Sequence, residues 1–483
     1  MKLTAPKVIL LLWSISLLLS CKEAKIKKTT IQNKPNIVLI NIDDLGWKDL
    51  GFMGSSYYET PNIDALAKQG MVFTNAYAGA ANCAPSRACL ISGLNTPKHG
   101  VFTVSPSDRG NPKTRKLIPI KNTQHLSNKV YTLPKMLKSA GYITANFGKW
   151  HVGDNPLKQG IDVNVGGSSK GNPGKGGYFS PYKIDFIKDG PKGEYLTDRL
   201  TDEAISFVEK NKDTTFFVYL PYYAVHTPLM GKEYLVEKFQ NKKGIKGQNN
   251  AKYAAMVASM DENIGKLLTA LREKGLEKNT LVLFTSDNGG IHVISNQAPL
   301  RAGKGSYYEG GIRVPLIIKW PSQIQANTIS NQNVSNLDLF PTLQTIAAPQ
   351  KKAAVLDGVN LMPVFKGKPI ERDLFFHFPI YLQAYKKGKD ESKDALFRTR
   401  PGSVVISGAW KLHHYYEYNE LELYDLLNDE GEQHNLSATN PEKAKELFAK
   451  LQTWRVENKA PEPTEKNEFY SSEFENQELF KFQ

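Results

Sequence analysis

Asn36-Ile37-Val38-Leu39-Ile40-Asn41-Ile42-Asp43-Asp44 sets the architecture. The first seven residues are a short, apolar, branched run that reads as a buried strand. Two acids follow at its C-terminal end. The same grammar recurs along the chain. Residues 61–70 read as a helix and Met71-Val72-Phe73 as a strand. Residues 133–140 read as a helix stopped by Gly141, and residues 142–147 as a strand running into Gly148-Lys149-Trp150-His151. A helix is expected over 198–210, a strand over 215–220 leading to His226, and a long helix over 253–274. A further apolar strand over 280–285 ends in Ser286-Asp287-Asn288. Alternating buried strands and helices predict an α/β domain with a large mixed, mostly parallel sheet sandwiched by helices. Such sheets bind ligands beyond the carboxyl ends of their strands. The polar residues repeatedly fall at those ends, which argues for a single site.

Residues 154–193 are rich in Gly, Pro, Ser and Lys, and a loop of that length is usually functional or mobile. Residues 321–350 read as a connector with a helix near 338–346. After about residue 370 the texture changes. Val404-Val405-Ile406, Trp410-Lys411-Leu412 and Leu421-Glu422-Leu423-Tyr424 read as short antiparallel strands, and residues 441–456 as an amphipathic helix. Residues 459–483 are polar and expected to be only partly ordered. The expected division is therefore 35–370 for the α/β domain and 371–483 for a smaller C-terminal unit of antiparallel sheet plus helix. No internal repeat is present.

The 483 residues, 40% of them hydrophobic, suffice for one large core and a smaller second unit. Lys2 and Lys7 precede an apolar run over 8–19, the length of a signal h-region and too short to span a membrane. Leu18-Leu19-Ser20-Cys21 resembles a bacterial lipobox, which implies export, lipid on Cys21, anchoring at the cell envelope, and a polar tether over 22–34. The competing reading is plain secretory cleavage with Cys21 incidental. The other cysteines are Cys83 and Cys89, so an exported chain with a lipidated Cys21 and a converted Cys83 has no disulfide. The net charge of +14 is spread along the chain. That excludes a basic nucleic-acid stripe and suits an anionic substrate, or serves solubility alone.

Cys83-Ala84-Pro85-Ser86-Arg87, followed by Ala88-Cys89-Leu90-Ile91-Ser92-Gly93, resembles the signature of type I, formylglycine-dependent sulfatases in the alkaline phosphatase superfamily. By itself the match competes with a structural cysteine before a helix starting at Pro85. Further motifs stand in the family's order from about residue 36 to 430. They are Asp43-Asp44-Leu45-Gly46, Gly148-Lys149-Trp150-His151-Val152-Gly153, His226-Thr227-Pro228, Thr285-Ser286-Asp287-Asn288-Gly289-Gly290, Arg301-Ala302-Gly303-Lys304-Gly305 and Glu309-Gly310-Gly311-Ile312-Arg313-Val314-Pro315. The resemblance is greatest to bacterial polysaccharide sulfatases.

The resemblance implies a maturase that oxidises Cys83 to formylglycine. It also implies one calcium ion on Asp43, Asp44, Asp287 and Asn288, with the modified Cys83 as a further ligand; calcium is a hard cation that takes oxygen ligands. A thiolate at position 83 would form a thiosulfate ester with no internal release. A hydrated aldehyde has one hydroxyl to attack sulfur and a second whose deprotonation expels sulfate. By the same resemblance Arg87 holds the formylglycine, and Lys149 and Lys304 bind sulfate oxygens. His151 acts as base in release, and His226, with Lys304, protonates the leaving alkoxide. Ser168, Ser169 and Ser180 are candidates for one further polar contact to sulfate. His377, in Phe376-His377-Phe378-Pro379, and Arg301 are candidate sugar contacts; for His377 a half-buried structural role is the alternative. The expected activity is hydrolysis of sulfate esters on a carbohydrate, with algal polymers such as ulvan or carrageenan ahead of host glycosaminoglycans by analogy. A phosphonate or phosphate monoester hydrolase and an inactive glycan-binding lipoprotein are the alternatives.

Overall fold

Strand β1 (Asn36–Ile42) is buried along its whole length. Its side chains alternate between two cores, as strand geometry requires. Val38, Ile40 and Ile42 enter one core, and Ile37 and Leu39 enter the other. In the computed structural model, which describes residues 34–349, 352–353 and 355–482, β1 lies inside an eight-stranded sheet. The remaining members are β2 (Met71–Phe73), β4 (Ile143–Phe147), β5 (Val163–Val165), β6 (Phe216–Pro221), β7 (Thr280–Ser286), β8 (Leu316–Lys319) and β9 (Thr328–Ser330), with β3 (Ala76–Tyr77) and β10 (Val334–Ser335) forming a separate parallel pair. The order is β5-β4-β6-β1-β7-β8-β2-β9. Neighbours from β5 through β7 are parallel. Strand β8 runs antiparallel to both β7 and β2, which makes the sheet mixed.

Helices cover both faces. Pro61–Lys68, Leu196–Lys210 and Ala251–Glu273 bury Ile63, Leu200 and Ile264 against the face that carries Val38 and Ile40. Cys83–Ser92, Leu133–Ser139 and Leu339–Ala347 bury Leu90, Leu137 and Phe340 against the face that carries Leu39 and Leu283. A parallel sheet with both faces covered needs strands without a polar side, which is the pattern of residues 36–42.

The C-terminal sheet has the order β11-β14-β15-β16, built from β11 (Asp373–Phe378), β14 (Gly402–Ser407), β15 (Trp410–Tyr415) and β16 (Glu420–Asp425), all antiparallel. Between β11 and β14 lies the short pair β12 (Leu382–Gln383) and β13 (Phe397–Thr399). The helix Pro441–Glu457 packs Leu447, Leu451 and Trp454 on Val405, Leu412 and Leu423. The architecture is thus the expected α/β fold with a second, antiparallel sheet. The described residues from Lys34 onward group as one compact unit.

One local expectation is corrected. The polar segment after residue 459 is built into the fold: helix Ser472–Phe480 buries Glu475 against Arg400 Nη2 at 2.7 Å. A buried ion pair anchors what composition marked as loose. The expected leader over 1–21 with Cys21, and the tether up to residue 33, lie outside the described residues.

Candidate active site

Four strand ends deliver the polar residues. Asp43 and Asp44 follow β1, Lys149 and His151 follow β4, His226 follows β6, and Asp287 and Asn288 follow β7. The helix Cys83–Ser92 supplies Cys83 and Arg87 from its first turns. It starts at Cys83 itself, with Pro85 inside the first turn, where a missing N–H breaks no intrahelical bond. The tenth member, Lys304, comes from the loop before Glu309–Ile312.

The turn that presents Lys149 depends on Gly148. Its φ is 128°, and a Cβ there would meet the Pro221 carbonyl oxygen at 2.2 Å. His151 holds φ 64° and Asp44 φ 61°, left-handed values that non-glycine residues seldom adopt. Such strain accumulates at functional sites. Gly171 crosses directly over His151, where a Cβ would lie 2.4 Å from the ring carbon Cε1.

Ion pairs knit the group together. Lys149 Nζ donates to Asp43 Oδ2 at 2.6 Å, and Lys304 Nζ to Asp44 Oδ2 at 2.7 Å. Arg87 Nε donates to Asp287 Oδ2 at 2.7 Å, and its Nη1 to the Lys149 carbonyl at 2.7 Å. Asn288 Nδ2 donates to Asp44 Oδ1 at 2.9 Å. The Cys83 Sγ lies 3.9 Å from Asp44 Oδ1, and His226 Nε2 3.7 Å from Asp44 Oδ2. The backbone N–H of Asp44 reaches Asp287 Oδ1 at 3.2 Å, which ties the β1 and β7 ends to each other.

The electrostatics follow from burial. Burial, together with Asp287 and Asp44, pushes the Asp43 carboxyl up to about 7 against the pull of Lys149. Burial also opposes charge on Asp44, but Lys304, His226 and Lys149 outweigh it and hold that carboxyl below the usual carboxylate range. Burial pushes the Cys83 thiol up to about 12, so an unmodified thiol here stays protonated at neutral pH and is a poor nucleophile. Burial and then Lys304 lower His226 to about 4.

The carboxylates of Asp43, Asp44 and Asp287 present one oxygen each within 4.8 Å of one another. Two buried oxygens of this group, Asp43 Oδ1 and Asn288 Oδ1, have no hydrogen-bond partner. Buried polar atoms are seldom left so. An all-oxygen set with unpartnered acceptors fits a hard divalent cation.

A cavity of about 250 Å³ opens onto this cluster, lined by Cys83, His151, His226 and Lys304 together with Asn82, Val104, Arg109, Gly171, Asn172 and Tyr385. Asp43, Asp44, Cys83, Arg87, Lys149, His151, His226, Asp287, Asn288 and Lys304 thus fall into one neighbourhood. Within it Lys149 has no exposed surface, and its ammonium is paired with Asp43.

Three sets of candidate contacts lie elsewhere. His377 is buried, with Nδ1 against Ser403 Oγ at 2.9 Å and Nε2 against the Pro461 carbonyl at 3.0 Å. Both ring nitrogens serve the C-terminal unit, which leaves none for a sugar. Arg301 donates to the carbonyls of Glu391, Ser392 and Glu432 and stacks 3.8 Å from the Tyr308 ring centre, so it fastens loops and does not reach the cavity. Ser168, Ser169 and Ser180 do not line the cavity, and Ser180 Oγ donates to the Gly190 carbonyl. Their places are taken by Gly171 and Asn172, in the Gly-rich loop already marked as functional by its length. Asn82, Arg109 and Tyr385 carried no local signal, since each enters from a loop whose course depends on the whole fold.

The sulfatase family profile matches residues 35–348, and a second profile, N-sulphoglucosamine sulphohydrolase, C-terminal, matches residues 303–460. A sulfatase of Formosa agariphila is 34% identical, over 94% of this chain and 94% of its own. Human N-acetylgalactosamine-6-sulfatase is 31% identical, over 74% of this chain and 71% of its own. The crystal structure of Ps i-CgsB in complex with k-i-k-neocarrahexaose superposes with a TM-score of 0.72 at 32% identity, covering 92% of this chain and 97% of that one. The phosphonate monoester hydrolase of Agrobacterium radiobacter, at 20% identity and a TM-score of 0.62, shares the fold alone. With these motifs in order over most of its length, the chain belongs to the sulfatase family and is a sulfuric ester hydrolase.

Proposed function

We propose that this sulfatase removes sulfate from a sulfated carbohydrate, using a formylglycine made from Cys83 and one calcium ion held by Asp43, Asp44, Asp287 and Asn288. The observation that carries the reading is the convergence of these oxygen ligands, two of them unpartnered, on Cys83 at the floor of a single cavity. Calcium would supply positive charge beside the sulfuryl oxygens. Formylglycine, as its hydrate, would supply the hydroxyl nucleophile and a second hydroxyl for sulfate release.

This chain's own residues supply the rest. Arg87, fixed by Asp287, steadies the first turn that presents position 83. Lys304 brings a positive charge to the cavity wall, where negative charge shifts toward the leaving oxygen during S–O cleavage. His226 and Lys304 line the cavity wall at that oxygen, and His151, whose Nδ1 has no partner, is placed to take the proton that frees sulfate. The carbohydrate class is supported by the 32% identical Ps i-CgsB, crystallised with k-i-k-neocarrahexaose. The lipobox-like Leu18-Leu19-Ser20-Cys21 supports export and anchoring at the cell envelope, where such polymers are met.

Peptide mass spectrometry of residue 83, coupled to sulfate release from a panel of sulfated oligosaccharides, tests this. Matured enzyme should show the aldehyde and release sulfate, and Cys83→Ala should release none. Full activity in Cys83→Ala overturns the mechanism. Faster cleavage of a phosphate ester than of the sulfate ester of the same alcohol overturns the substrate class.

A further inference from the structure

Two guanidinium groups beside the cavity have no carboxylate partner among the described residues. Arg109 lines the cavity with Cys83, His226 and Lys304. Its Nη2 donates to the carbonyl oxygens of Val104 and Ser105. Asp108, its neighbour in the chain, lies against Arg115 at 3.7 Å instead. Arg398 is buried, and it too donates to carbonyls alone among the described residues, to Gln383 O at 2.9 Å and Lys304 O at 3.0 Å. Its guanidinium sits 3.7 Å from the ring centre of Tyr385, and Tyr385 lines the same cavity with 45% of its surface exposed.

Other buried arginines of this chain are neutralised: Arg87 by Asp287, Arg400 by Glu417 and Arg455 by Glu462. A buried cation without a counter-charge is costly. Burial and the nearby Arg398 pull the Arg109 guanidinium below its ordinary value; Tyr385 and Cys83 act in the opposite direction, and no carboxylate does. A charge deficit of this kind at a cavity wall is relieved by an anion arriving from outside.

We propose that Arg109, with Arg398 behind Tyr385, forms an anion subsite beside the sulfate-ester pocket. It takes a second negative group of the substrate, a further sulfate ester or a carboxylate on the same or the adjoining sugar, while the Tyr385 ring packs on the sugar face. Guanidinium binds both anions through paired N–H donors. The proposal rests on the carbohydrate reading above, so its test must fail separately from that reading.

The probe is competitive inhibition of aryl-sulfate hydrolysis by matured, calcium-loaded enzyme. Three disaccharides serve as inhibitors: one with a single sulfate, one with two, and one with a sulfate and a uronic-acid carboxylate. An inhibition constant is read whether or not the sugar is cleaved, so absence of sugar turnover counts against the carbohydrate reading and not against the subsite. In Arg109→Gln the inhibition constant of at least one dianionic sugar should rise tenfold or more beyond any rise for the monosulfated sugar. Arg109→Lys should recover part of that ratio, and the arm that responds identifies the anion as sulfate or carboxylate. Equal losses for all three sugars, or no loss for any, overturn the proposal. A general loosening of the loop raises all three inhibition constants alike and cannot produce the ratio.

Discussion

Gly148 tolerates no side chain at the turn into Lys149. Its φ of 128° and the Pro221 carbonyl 2.2 Å from an added Cβ leave no room for a side chain. Gly148→Ala should displace Lys149 from Asp43 and lower sulfate release at least tenfold, measured as kcat/KM; a variant with unchanged kcat/KM would show that the turn can relax. His377 has a different task. Burial lowers its imidazole to about 3, while the unfolded chain takes up a proton near about 6.5. The unfolded state therefore binds more protons between those values. The stability that neutral His377 contributes is complete above about pH 6.5 and is lost as pH falls toward 3. Denaturant unfolding at a series of pH values should show a shallower acid slope for His377→Gln than for the parent. Identical slopes would remove His377 from the acid response.

Among the elements, β15 is the clamp that holds the loop carrying Lys304. Lys411, with no exposed surface, donates to Glu309 Oε1 at 2.9 Å and lies 2.9 Å from Glu432 Oε1. Glu432 Oε2 in turn accepts the Glu309 backbone N–H at 2.5 Å. Removing one partner of a buried ionic group leaves uncompensated charge and costs about 3–5 kcal/mol. Lys411→Met should lower the unfolding free energy by about that amount, read from denaturant midpoints. It should also reduce sulfate release, because the segment from Arg301 to Arg313 is anchored at Glu309. An unchanged midpoint would mean that Glu309 and Glu432 satisfy each other as a shared-proton pair.

Across the whole molecule, three carboxylates and their cations meet where distant strands end, so the folded state is poised to bind a divalent ion that the unfolded chain cannot gather. A ligand that binds only the folded state at about a hundred times its Kd stabilises it by about 2.7 kcal/mol. Chelation should therefore lower the melting temperature by a few degrees and abolish sulfate release. Calcium should restore both, and Asp287→Asn should blunt the calcium response. A melting temperature indifferent to chelator and to calcium would argue against a resident cation at Asp43, Asp44 and Asp287.

The parallel centre of the sheet was legible because burial on both faces forces apolar strands, as in residues 36–42 and 280–285, whereas the short strands β5, β8 and β9 were not read from the sequence. The cluster residues were legible because they sit at strand ends and in motifs whose order survives along the chain. Even the short strands after residue 370 announced themselves by branched, alternating runs. Where Lys149, His377 and Arg301 spend their polar atoms was not legible, because a hydrogen-bond partner is set by residues distant in the chain. Asp43 meets Lys149 across 106 positions, and His377 meets Pro461 across 84. The same holds for Arg109, Arg398 and Tyr385. Arg109 and Tyr385 are loop residues and Arg398 sits in the short strand β13, and the two arginines' want of a carboxylate partner among the described residues arises only when chain packing brings them to one wall.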